Sequence, residues 1–486
     1  MVYWALLGFI GAGIAFGAVG PGGGTGGYAA AFRSAQLGKR VALVEQAKVG
    51  GTCLHWGCIP AKAMLETGDL LAKIGKASEY GIEISPTSGV DPAAIAVRRD
   101  KIVARMHAGL KSLFKKNDVE LVSGRAVLLG GGVVEVTLND ANGAATGEKR
   151  SISAQDIVIA TGSSVRRIPG LETDGSVVVS SDDIVTGRLR PASVIVVGGG
   201  AVGCEFASYF RDLGAETTIV EMLPALVPLE DRDVSKELTR AFAKRGISSH
   251  VAHRIQEGSL ERSSGGVSLR IEPVEGGAAI SLSAELLVVA AGRVPNSDSI
   301  GLEKTKATVE RGFIKVDAQM QTAEPHLYAV GDVIGGLQLA HVAAHEGMIA
   351  AHAIAGEPLH PMDYAKQPRA TYCRPEVASV GFTTQELERD GVPFTVGQVP
   401  FLAIAKAHVG GDVDGFCKVI RHSESGALLG VHMVGPKVTD LIAEASLALE
   451  MGATAAQLGG TTHPHPTLSE IVGEAALVSI GRSVNF

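Results

Sequence analysis

The sequence contains few cysteines, few aromatic residues and no excess of positive charge. Five cysteines among 486 residues are too few for a secreted scaffold held together by disulfides, and this favours a cytoplasmic location. The 44 basic and 51 acidic residues leave a net charge of −7, so no basic surface predicts binding to nucleic acid or to a membrane. Long disordered regions are not expected, because no stretch combines low hydrophobicity with a run of charge.

Glycine, in contrast, is abundant. The 62 glycines show no three-residue period, which excludes a collagen-like chain, and they indicate tight turns and close approaches between backbone segments. A length of 486 residues corresponds to about three domains. The hydrophobic share of 46% and the charged share of 20% are those of an ordinary globular protein.

The first 19 residues contain no charged side chain and are long enough to suggest a membrane span. No Lys or Arg precedes them, however, and the first basic residue is Arg33, so the flanks of a signal or membrane segment are missing. Three interpretations stay open: a buried strand with an N-terminal extension, an irregularity of the sequence start, and a membrane or export segment. A second glycine cluster at Gly11–Gly13 leaves the register of the first strand uncertain.

A glycine-rich pattern occurs twice with the same spacing. The first copy has Gly22, Gly24 and Gly27, a helix-compatible stretch, an apolar run and then Glu45. The second copy has Gly198, Gly200 and Gly203, again a helix-compatible stretch and an apolar run, and then Glu221. In both copies the acid lies 23 residues after the first glycine. A single copy can be no more than a turn, but two copies at equal spacing predict two Rossmann βαβ units.

Each residue type in this pattern has a physical role. The first glycine permits the tight turn, the second lets the backbone approach a pyrophosphate, and the third lets helix and strand pack closely. The helix N-terminus then faces the phosphates with its N–H groups, and the acid accepts hydrogen bonds from ribose hydroxyls. Because Glu221 would repel a 2′-phosphate and no Arg follows it, NAD is favoured over NADP. In the first copy Pro21 is expected to interrupt the preceding strand.

Two cysteines five residues apart lie between the first unit and the next helical stretch. A disulfide between Cys53 and Cys58 requires a distorted helical turn, which Gly57 makes easier and Pro60 helps to fix. A thiolate near a helix N-terminus is stabilised by the helix dipole and becomes more reactive. Two buried thiols or half of a metal site are the alternatives, although no second Cys/His pair has ligand spacing. The remaining cysteines are interpreted as packing residues: Cys204, Cys373 and Cys417.

The segment GGTCLHWGCIPAK, next to two dinucleotide units, resembles the flavin-dependent pyridine nucleotide-disulfide oxidoreductases. The resemblance extends over nearly the whole chain from Gly22 onward. It includes Ala160-Thr161-Gly162, Ala291-Gly292-Arg293-Val294-Pro295-Asn296, Tyr328-Ala329-Val330-Gly331-Asp332 and Leu339-Ala340-His341. It implies a redox-active Cys53–Cys58 pair, FAD at the first unit and NAD at the second.

The C-terminal stretch HPHPTLSE resembles the signature of the dihydrolipoamide dehydrogenase branch of that family. The resemblance implies that His465 is the acid/base and that Glu470 orients it, although His463 competes for the role from sequence alone. An imidazole titrates near neutrality and can deprotonate a dithiol, and a carboxylate fixes its tautomer. Lys62 and Glu205 are implied as a pair near the flavin, against the alternative of two solvated surface charges.

The implied architecture is an α/β protein with two Rossmann-like domains and a C-terminal α+β dimerisation domain. The expected boundaries are 1–155 and 291–355 for the FAD domain, 156–290 for the NAD domain and 363–486 for the dimerisation domain. The expected FAD-binding residues are Gly22, Gly24, Gly27, Glu45, Gly51, Thr52, Lys62, Ala126, Thr161, Gly162, Asp332, Leu339, Ala340 and His341. The expected NAD-binding residues are Gly198, Gly200, Ala201, Val202, Gly203, Glu205, Glu221 and Gly292. No metal site is expected.

The expected partners are dihydrolipoamide carried on an acyltransferase or carrier protein and a second copy of the chain, whose cysteines His465 would serve. Other members of the family remain as alternatives, namely reductases of glutathione, of another small thiol or of mercuric ion. The HPTLSE stretch and Glu221 argue against the first, and a C-terminus without cysteines argues against the last. A dinucleotide-binding scaffold with a damaged flavin site is the alternative from another class, supported only by the irregular first strand. His55, Trp56, Ala61 and Pro464 depart from the common family pattern, but none removes a reacting group.

Overall fold

The computed structural model describes residues 15–84 and 89–485. The chain divides into two compact units. The first unit contains the described residues up to His55 together with Val103–Ser164 and Arg293–Met362. The second contains Trp56–Ile102, Val165–Gly292 and Asp363–Phe486, within the same described limits. Residues 1–14 of the uncharged N-terminal segment therefore lie outside the described residues, whereas residues 15–19 belong to the first strand. The three interpretations of the segment remain predictions.

The strands of the described residues, in chain order, are β1 Ala15–Pro21, β2 Val41–Glu45, β3 Glu120–Gly130, β4 Val133–Asn139, β5 Ala145–Ile159, β6 Ser163–Val165, β7 Val178–Ser180, β8 Ser193–Val197, β9 Glu216–Val220, β10 Ile247–His250, β11 His253–Ile255, β12 Glu261–Ser263, β13 Gly266–Pro273, β14 Ile280–Ala284, β15 Leu286–Val289, β16 Arg293–Pro295, β17 Val309–Glu310, β18 Phe313–Ile314, β19 Leu327–Ala329, β20 Arg369–Thr371, β21 Glu376–Gly381, β22 Phe394–Pro400, β23 Phe416–His422 and β24 Leu428–Gly435.

The α-helices of the described residues are α1 Thr25–Gln36, α2 Gly51–His55, α3 Cys58–Gly75, α4 Pro92–Lys116, α5 Ser181–Thr186, α6 Ala201–Asp212, α7 Arg232–Lys244, α8 Ala340–Ala355, α9 Thr384–Asp390, α10 Ala405–Gly410, α11 Val438–Glu450, α12 Ala455–Gly459 and α13 Glu470–Ser479. Short 3₁₀ helices occupy Ala77–Tyr80, Leu302–Lys304, Gly331–Ile334, Tyr364–Lys366 and Phe401–Ala403.

The main sheet of the first unit is built around β1, which is parallel to β2 on one side and to β5 on the other. Strand β3 continues the sheet beyond β2, and β19 continues it beyond β5. Strand β4 runs antiparallel between β3 and β5. The apolar run of β2 is buried on both faces of the sheet, as expected for a central parallel strand. Helices α1 and α8 pack together in the same unit.

The expected interruption of β1 at Pro21 is wrong. The strand runs from Ala15 to Pro21, and Pro21 pairs with Val44 in the ladder with β2. Proline is tolerated here because neither neighbouring strand needs its missing N–H. On the side of β2, the amide that donates to Val44 O is that of Gly22, one residue later (2.8 Å). On the side of β5, the pairing ends at Val19, before Pro21. This register, with Ala18 opposite Val41, also removes the support for a damaged first strand.

The second unit contains one parallel sheet and two antiparallel sheets, one of which is formed by β11, β12, β13 and β14. The parallel sheet has the order β10-β9-β8-β15-β7, with α6 between β8 and β9 in sequence. The antiparallel sheet of the C-terminal part has the order β20-β21-β24-β23-β22 and packs against α11 and α13. Two βαβ units and a C-terminal α+β part are thus present, as the sequence predicts. No helix of residues 15–84 and 89–485 combines the length and the apolar character of a membrane span.

Candidate functional site

The first glycine loop has the geometry that its spacing predicts. Gly22 has φ +114°, and a Cβ added to it would lie 2.1 Å from Ala160 O. A Cβ on Gly27 would lie 1.8 Å from Gly22 O, so only glycine allows α1 to pack against the turn. Gly24 is different, because a Cβ there would meet no atom within 4 Å. The loop is therefore tightly packed against the protein at Gly22 and Gly27, and it leaves space for a ligand next to Gly24.

The second glycine loop repeats this arrangement. Gly198 has φ +112°, and its added Cβ would lie 2.4 Å from Ala290 O. The added Cβ of Gly203 would lie 1.9 Å from Gly198 O, and that of Gly200 would meet nothing within 4 Å. Ala201 begins α6, and the Ala201 and Val202 side chains are exposed. Both loops thus leave an open space at a helix N-terminus, which fits the pyrophosphate of a dinucleotide.

The acid at the end of each second strand is held by two backbone amides. Glu45 accepts from Gly23 N at Oε2 (2.7 Å) and from Ala47 N at Oε1 (2.6 Å). Glu221 accepts from Gly199 N at Oε2 (2.5 Å) and from Leu223 N at Oε1 (2.7 Å). A carboxylate has about four acceptor sites, so each acid can still accept hydrogen bonds from a ribose. The acids are therefore placed as a dinucleotide site requires.

The segment with the two cysteines begins against the first loop. An added Cβ on Gly51, which has φ +56°, would lie 2.7 Å from the Cα of Gly24. This close approach places the start of α2 beside the open side of the loop. Helix α2 carries Thr52 and Cys53 and ends at His55, and α3 begins at Cys58 after the turn at Trp56 and Gly57. The helix is interrupted between the cysteines, as their spacing predicts.

Lys62 lies one helical turn after Cys58 on α3 and pairs with Glu205 on α6. Its Nζ donates to both carboxylate oxygens of Glu205 at 2.8 Å, so the pair predicted from sequence is present. Burial alone would lower the pKa of Lys62, but Glu205, and to a lesser degree Cys58, raise it. The same attraction favours a thiolate at Cys58. Tyr372 completes the group, because its ring lies 4.7 Å from Lys62 Nζ and its amide donates to Glu205 Oε1 (2.9 Å).

The other three cysteines are packing residues, as expected. Cys204 and Cys417 have no exposed surface, and Cys373 is 2% exposed. Burial raises the pKa of all three thiols far above the ordinary value. Such thiols are inert, in contrast to the half-buried Cys53 and Cys58.

The remaining predicted FAD residues lie in the first unit, after β5, within β3, in the 3₁₀ helix Gly331–Ile334 and at the start of α8. Thr161 and Gly162 follow β5, and the amide of Thr161 is 3.0 Å from the position of a Cβ on Gly22. Asp332 accepts a hydrogen bond from Ser163 Oγ and lies 3.8 Å from Arg293 Nε. Leu339 caps α8, and Ala340 and His341 begin it. Ala126 lies in β3, three residues beyond Ser123, which pairs with Glu45.

Gly292 is the last predicted NAD residue, and it lies in the second unit. It has φ +98°, and its carbonyl accepts from Arg166 N (3.0 Å). Gly292 follows Ala290 and Ala291 in the chain. Gly198, the first glycine of the second loop, packs against the backbone of these two alanines. Gly292 is therefore on the same edge of the unit as the loop Gly198–Gly203.

The two histidines of the C-terminal stretch occupy different environments. His465 has 73% of its side chain exposed, and its Nδ1 lies 2.9 Å from Glu470 Oε1. His463 has only 10% exposed and lies 2.8 Å from Glu444 Oε1 through Nε2. Burial opposes ionisation of Glu470, but the hydrogen bonds from the Thr467 amide and from His465 lower its pKa. Glu470 is thus an ionised partner that holds His465 with Nε2 on the opposite side of the ring.

Sequence reasoning missed Tyr372, Thr467 and Ser163. Thr467 lies within the HPTLSE stretch, three residues before Glu470, so its amide, which donates to Glu470 Oε2 (2.9 Å), could have been identified from this local spacing. Tyr372 is 310 residues from Lys62, and Ser163 is 169 residues from Asp332. No local pattern connects residues at such distances.

With this geometry defined, comparison with known families identifies the class of protein. Residues 22–347 match the family described as pyridine nucleotide-disulphide oxidoreductase, and residues 367–476 match the dimerisation domain of the same family. The chain therefore belongs to the pyridine nucleotide-disulphide oxidoreductases.

Individual relatives narrow the comparison further. The chain is 41% identical over 470 residues to the dihydrolipoyl dehydrogenase of Bacillus subtilis, covering 96% of this chain and 98% of that one. It is 40% identical over 467 residues to the dihydrolipoyl dehydrogenase of Zymomonas mobilis, with coverage of 96% and 98%. Among solved structures, LpdA of Mycobacterium tuberculosis superposes with a TM-score of 0.86 at 26% identity, covering 94% of this chain and 98% of that one.

Proposed function

We propose that this protein is a flavin-dependent disulfide oxidoreductase that oxidises dihydrolipoamide and reduces NAD. The observation that carries the proposal is the exposed His465, held by Glu470, in a chain with full-length likeness to dihydrolipoyl dehydrogenases. An imidazole of this kind can take the proton that a dithiol must lose before it reacts with a disulfide. The likeness to dihydrolipoyl dehydrogenases favours a lipoyl dithiol over the other thiols that the family reduces.

The two glycine loops are the proposed dinucleotide sites. Gly22, Gly24, Gly27 and Glu45 would hold FAD, and the second loop with Glu221 would hold NAD. The open space above each middle glycine and the two remaining acceptor sites of each acid support this assignment. The chemistry that the two groups supply when bound is acceptance of an electron pair and its onward transfer as a hydride. We keep the domain boundaries 1–155, 156–290, 291–355 and 363–486 as part of the proposal.

The proposed exchange uses a disulfide between Cys53 and Cys58 in the oxidised enzyme. His465 Nε2 takes a proton from one thiol of the substrate, and the thiolate attacks Cys53 Sγ. The Cys53–Cys58 bond breaks, and Cys58 leaves as a thiolate beside Lys62 at the N-terminus of α3, where the ammonium and the helix dipole stabilise it. The second substrate thiol, once deprotonated, attacks the substrate's own sulfur in the mixed disulfide. The bond between that sulfur and Cys53 Sγ breaks, so lipoamide is released with its disulfide closed, and Cys53 leaves as the second reduced cysteine.

We assign the reacting His465 to the cysteines of a second copy of the chain. The match of residues 367–476 to a dimerisation domain supports a homodimer. The lipoyl group would be presented by an acyltransferase or carrier protein. The proposed cellular location is the cytoplasm, because the small number of cysteines and the thiol chemistry favour a reducing compartment.

The variant Cys58→Ser tests the assignment of the sulfurs. We expect oxidation of dihydrolipoamide to fall by at least about a thousandfold, because the exchange loses its leaving group, while FAD stays bound. Cys417→Ala is the matched control, because it removes a buried thiol without a proposed role and should retain turnover. Steady-state turnover with free dihydrolipoamide and the flavin spectrum measure the two effects. Retained turnover in Cys58→Ser would remove the cysteines from the mechanism.

The pair His465→Gln and His463→Gln tests the assignment of the base. His465 is exposed, so its loss should leave the melting temperature unchanged and reduce turnover by about a hundredfold or more. His463 is buried against Glu444, so its loss should lower the melting temperature and affect turnover much less. The reverse order of the two turnover effects would assign the base to His463.

A further inference from the structure

A buried ionic cluster connects the segment after Glu221 to the C-terminal sheet. Residues 222–231 run from the end of β9 to the start of α7 without regular secondary structure. The middle of this segment contacts the second glycine loop, because the amide of Val227 donates to Gly199 O (2.7 Å). Leu226 is fully buried, and its side chain lies 2.8 Å from the position of a Cβ on Gly199. The segment therefore forms one wall of the second loop.

The backbone of this wall is strained. Val227 has φ +41°, a conformation that a β-branched residue rarely adopts. A strained residue keeps such a conformation only when its surroundings hold it. The carbonyl of Val227 accepts from Glu230 N (2.9 Å) and from Ser235 Oγ (3.3 Å). The conformation at Val227 thus depends on how the end of the segment and the start of α7 are fixed.

Asp231, the N-cap residue of α7, fixes that end. Its side chain has no exposed surface, and each of its oxygens accepts two hydrogen bonds. Oδ1 accepts from Asp233 N (3.0 Å) and from Lys418 Nζ (2.7 Å). Oδ2 accepts from the amide (2.9 Å) and the hydroxyl (2.7 Å) of Thr384. All acceptor sites of the carboxylate are satisfied, and two of its four donors come from α9 and one from β23.

Lys418 and Glu230 strengthen the same connection. Lys418 is 2% exposed, lies in β23, and also donates to Asp233 Oδ2 (2.6 Å). Glu230 is 7% exposed and accepts from Arg369 Nε (3.1 Å) and from Ser379 Oγ of β21. Burial opposes ionisation of Asp231, but His432, Lys418 and the Thr384 amide lower its pKa well below the ordinary range. A buried charge cluster of this kind is a poor source of stability, and its best-attested use is to fix one arrangement.

We infer that Asp231, Lys418 and Thr384 are positioning residues for NAD, because they hold the wall 222–231 against the second glycine loop from the C-terminal sheet. The inference rests on the proposed NAD site. Without the cluster, Val227 relaxes from its strained conformation, its hydrogen bond to Gly199 is lost, and Glu221 loses the fixed turn on which it stands. NAD binding then weakens while the thiol chemistry, which uses other residues, continues. By reciprocity, NAD binding stabilises the C-terminal sheet.

The pair Thr384→Val and Thr384→Ser tests this inference in the full-length protein with FAD. Valine keeps the shape of threonine but removes the hydroxyl that donates to Asp231, whereas serine keeps the hydroxyl. We expect NADH to bind about fivefold more weakly to Thr384→Val and normally to Thr384→Ser. Calorimetry on protein whose flavin has first been reduced with dithionite, so that NADH binds without transferring a hydride, measures the NADH dissociation constant. Rapid mixing measures flavin reduction by dihydrolipoamide in the absence of NAD. The rate of flavin reduction should stay unchanged in both variants.

Lys418→Met and Lys244→Met give the larger contrast. Lys244 lies at the other end of α7, is 60% exposed and pairs with Asp414, so its loss should leave NADH binding unchanged. Lys418→Met should weaken NADH binding by about a hundredfold. If Lys418→Met does not fold, the comparison of Thr384→Val with Thr384→Ser decides whether the inference holds. Unchanged NADH binding in folded Thr384→Val, or equal loss in the valine and serine variants, overturns the inference. Failure of the unsubstituted protein to bind NADH would instead overturn the proposed function.

Discussion

The two glycine loops use the same backbone contacts but are followed by different segments. In both loops the amide of the second residue, Gly23 or Gly199, donates to the glutamate at the end of the second strand. The carbonyl of the same residue accepts from the amide of a later residue. The donor is Gly50 N for Gly23 O (2.7 Å) and Val227 N for Gly199 O (2.7 Å). The later residue has positive φ in both, +105° at Gly50 and +41° at Val227. Glycine adopts this conformation freely, whereas valine does not.

This difference follows from where each segment leads. The first runs directly into α2 and the reacting cysteines, with Cys53 three residues after Gly50. The second runs into α7 and is held by the buried cluster at Asp231. One loop is therefore fixed by residues of its own neighbourhood, and the other by the C-terminal sheet. Two loops with the same backbone geometry can therefore be held in place by different parts of the protein. The following substitutions test how far the two loops are alike.

Gly27→Ala and Gly203→Ala should have the largest effects. The added Cβ would lie 1.8 or 1.9 Å from a backbone oxygen that cannot move away, which destabilises each loop by about 3 kcal/mol. Gly27→Ala should lose FAD on purification, whereas Gly203→Ala should keep FAD and lose NADH binding. Flavin absorbance and calorimetry measure the two losses. Gly109→Ala, in α4 and in open space, is the control and should not destabilise. Loss of flavin from Gly203→Ala would contradict the separate assignment of the loops.

Gly24→Ala and Gly200→Ala should leave the fold intact and weaken only the dinucleotides. Their added Cβ atoms meet no protein atom within 4 Å, so the methyl group would occupy the space proposed for the pyrophosphate. We expect unchanged melting temperatures without dinucleotide and at least about tenfold weaker binding, equivalent to about 1.4 kcal/mol. Reconstitution with FAD tests the first variant and NADH titration the second. Normal binding in either variant would mean that the open space serves another purpose.

Glu45→Gln and Glu221→Gln should have the smallest effects and should differ from each other. Each change turns one carboxylate oxygen that accepts from a backbone amide into an amide group, which weakens that hydrogen bond and costs about 1 kcal/mol. Glu221 is only 9% exposed, whereas Glu45 is half-buried, so the loss at Glu221 should be larger. Melting temperature and the dissociation constant of each dinucleotide are the measurements. Equal losses would show that the surroundings of the two acids do not matter.

Much of the fold and part of the site could be predicted from sequence. The spacing of Gly22, Gly27 and Glu45, repeated at the second copy, is a local signal. A Cβ added to either glycine would meet only atoms of the glycine's own loop or of the residues that follow the neighbouring strand. The interrupted helix between Cys53 and Cys58 was equally local. The pairing of Lys62 with Glu205 came from the family resemblance, since 143 residues separate the two.

The parts that failed or were missed depend on tertiary structure. Pro21 was expected to end β1 early, because the sequence does not show which N–H groups the neighbouring strands use. Tyr372 lies beside Lys62 only because the second unit folds them together. The environments of His463 and His465 differ through Glu444 and Glu470, and only the second acid is close enough in sequence to be identified.

The turn at Glu221 has a consequence for attempts to change which nicotinamide coenzyme the chain accepts. The carboxylate is at once a sugar contact and a brace that ties Gly199 to Leu223. Replacing it by a small neutral or a basic residue would remove the repulsion of a phosphorylated sugar, but it would also leave two main-chain donors without their acceptor. Coenzyme redesign here therefore calls for exchange of the entire turn, with a new brace built in, rather than a single substitution.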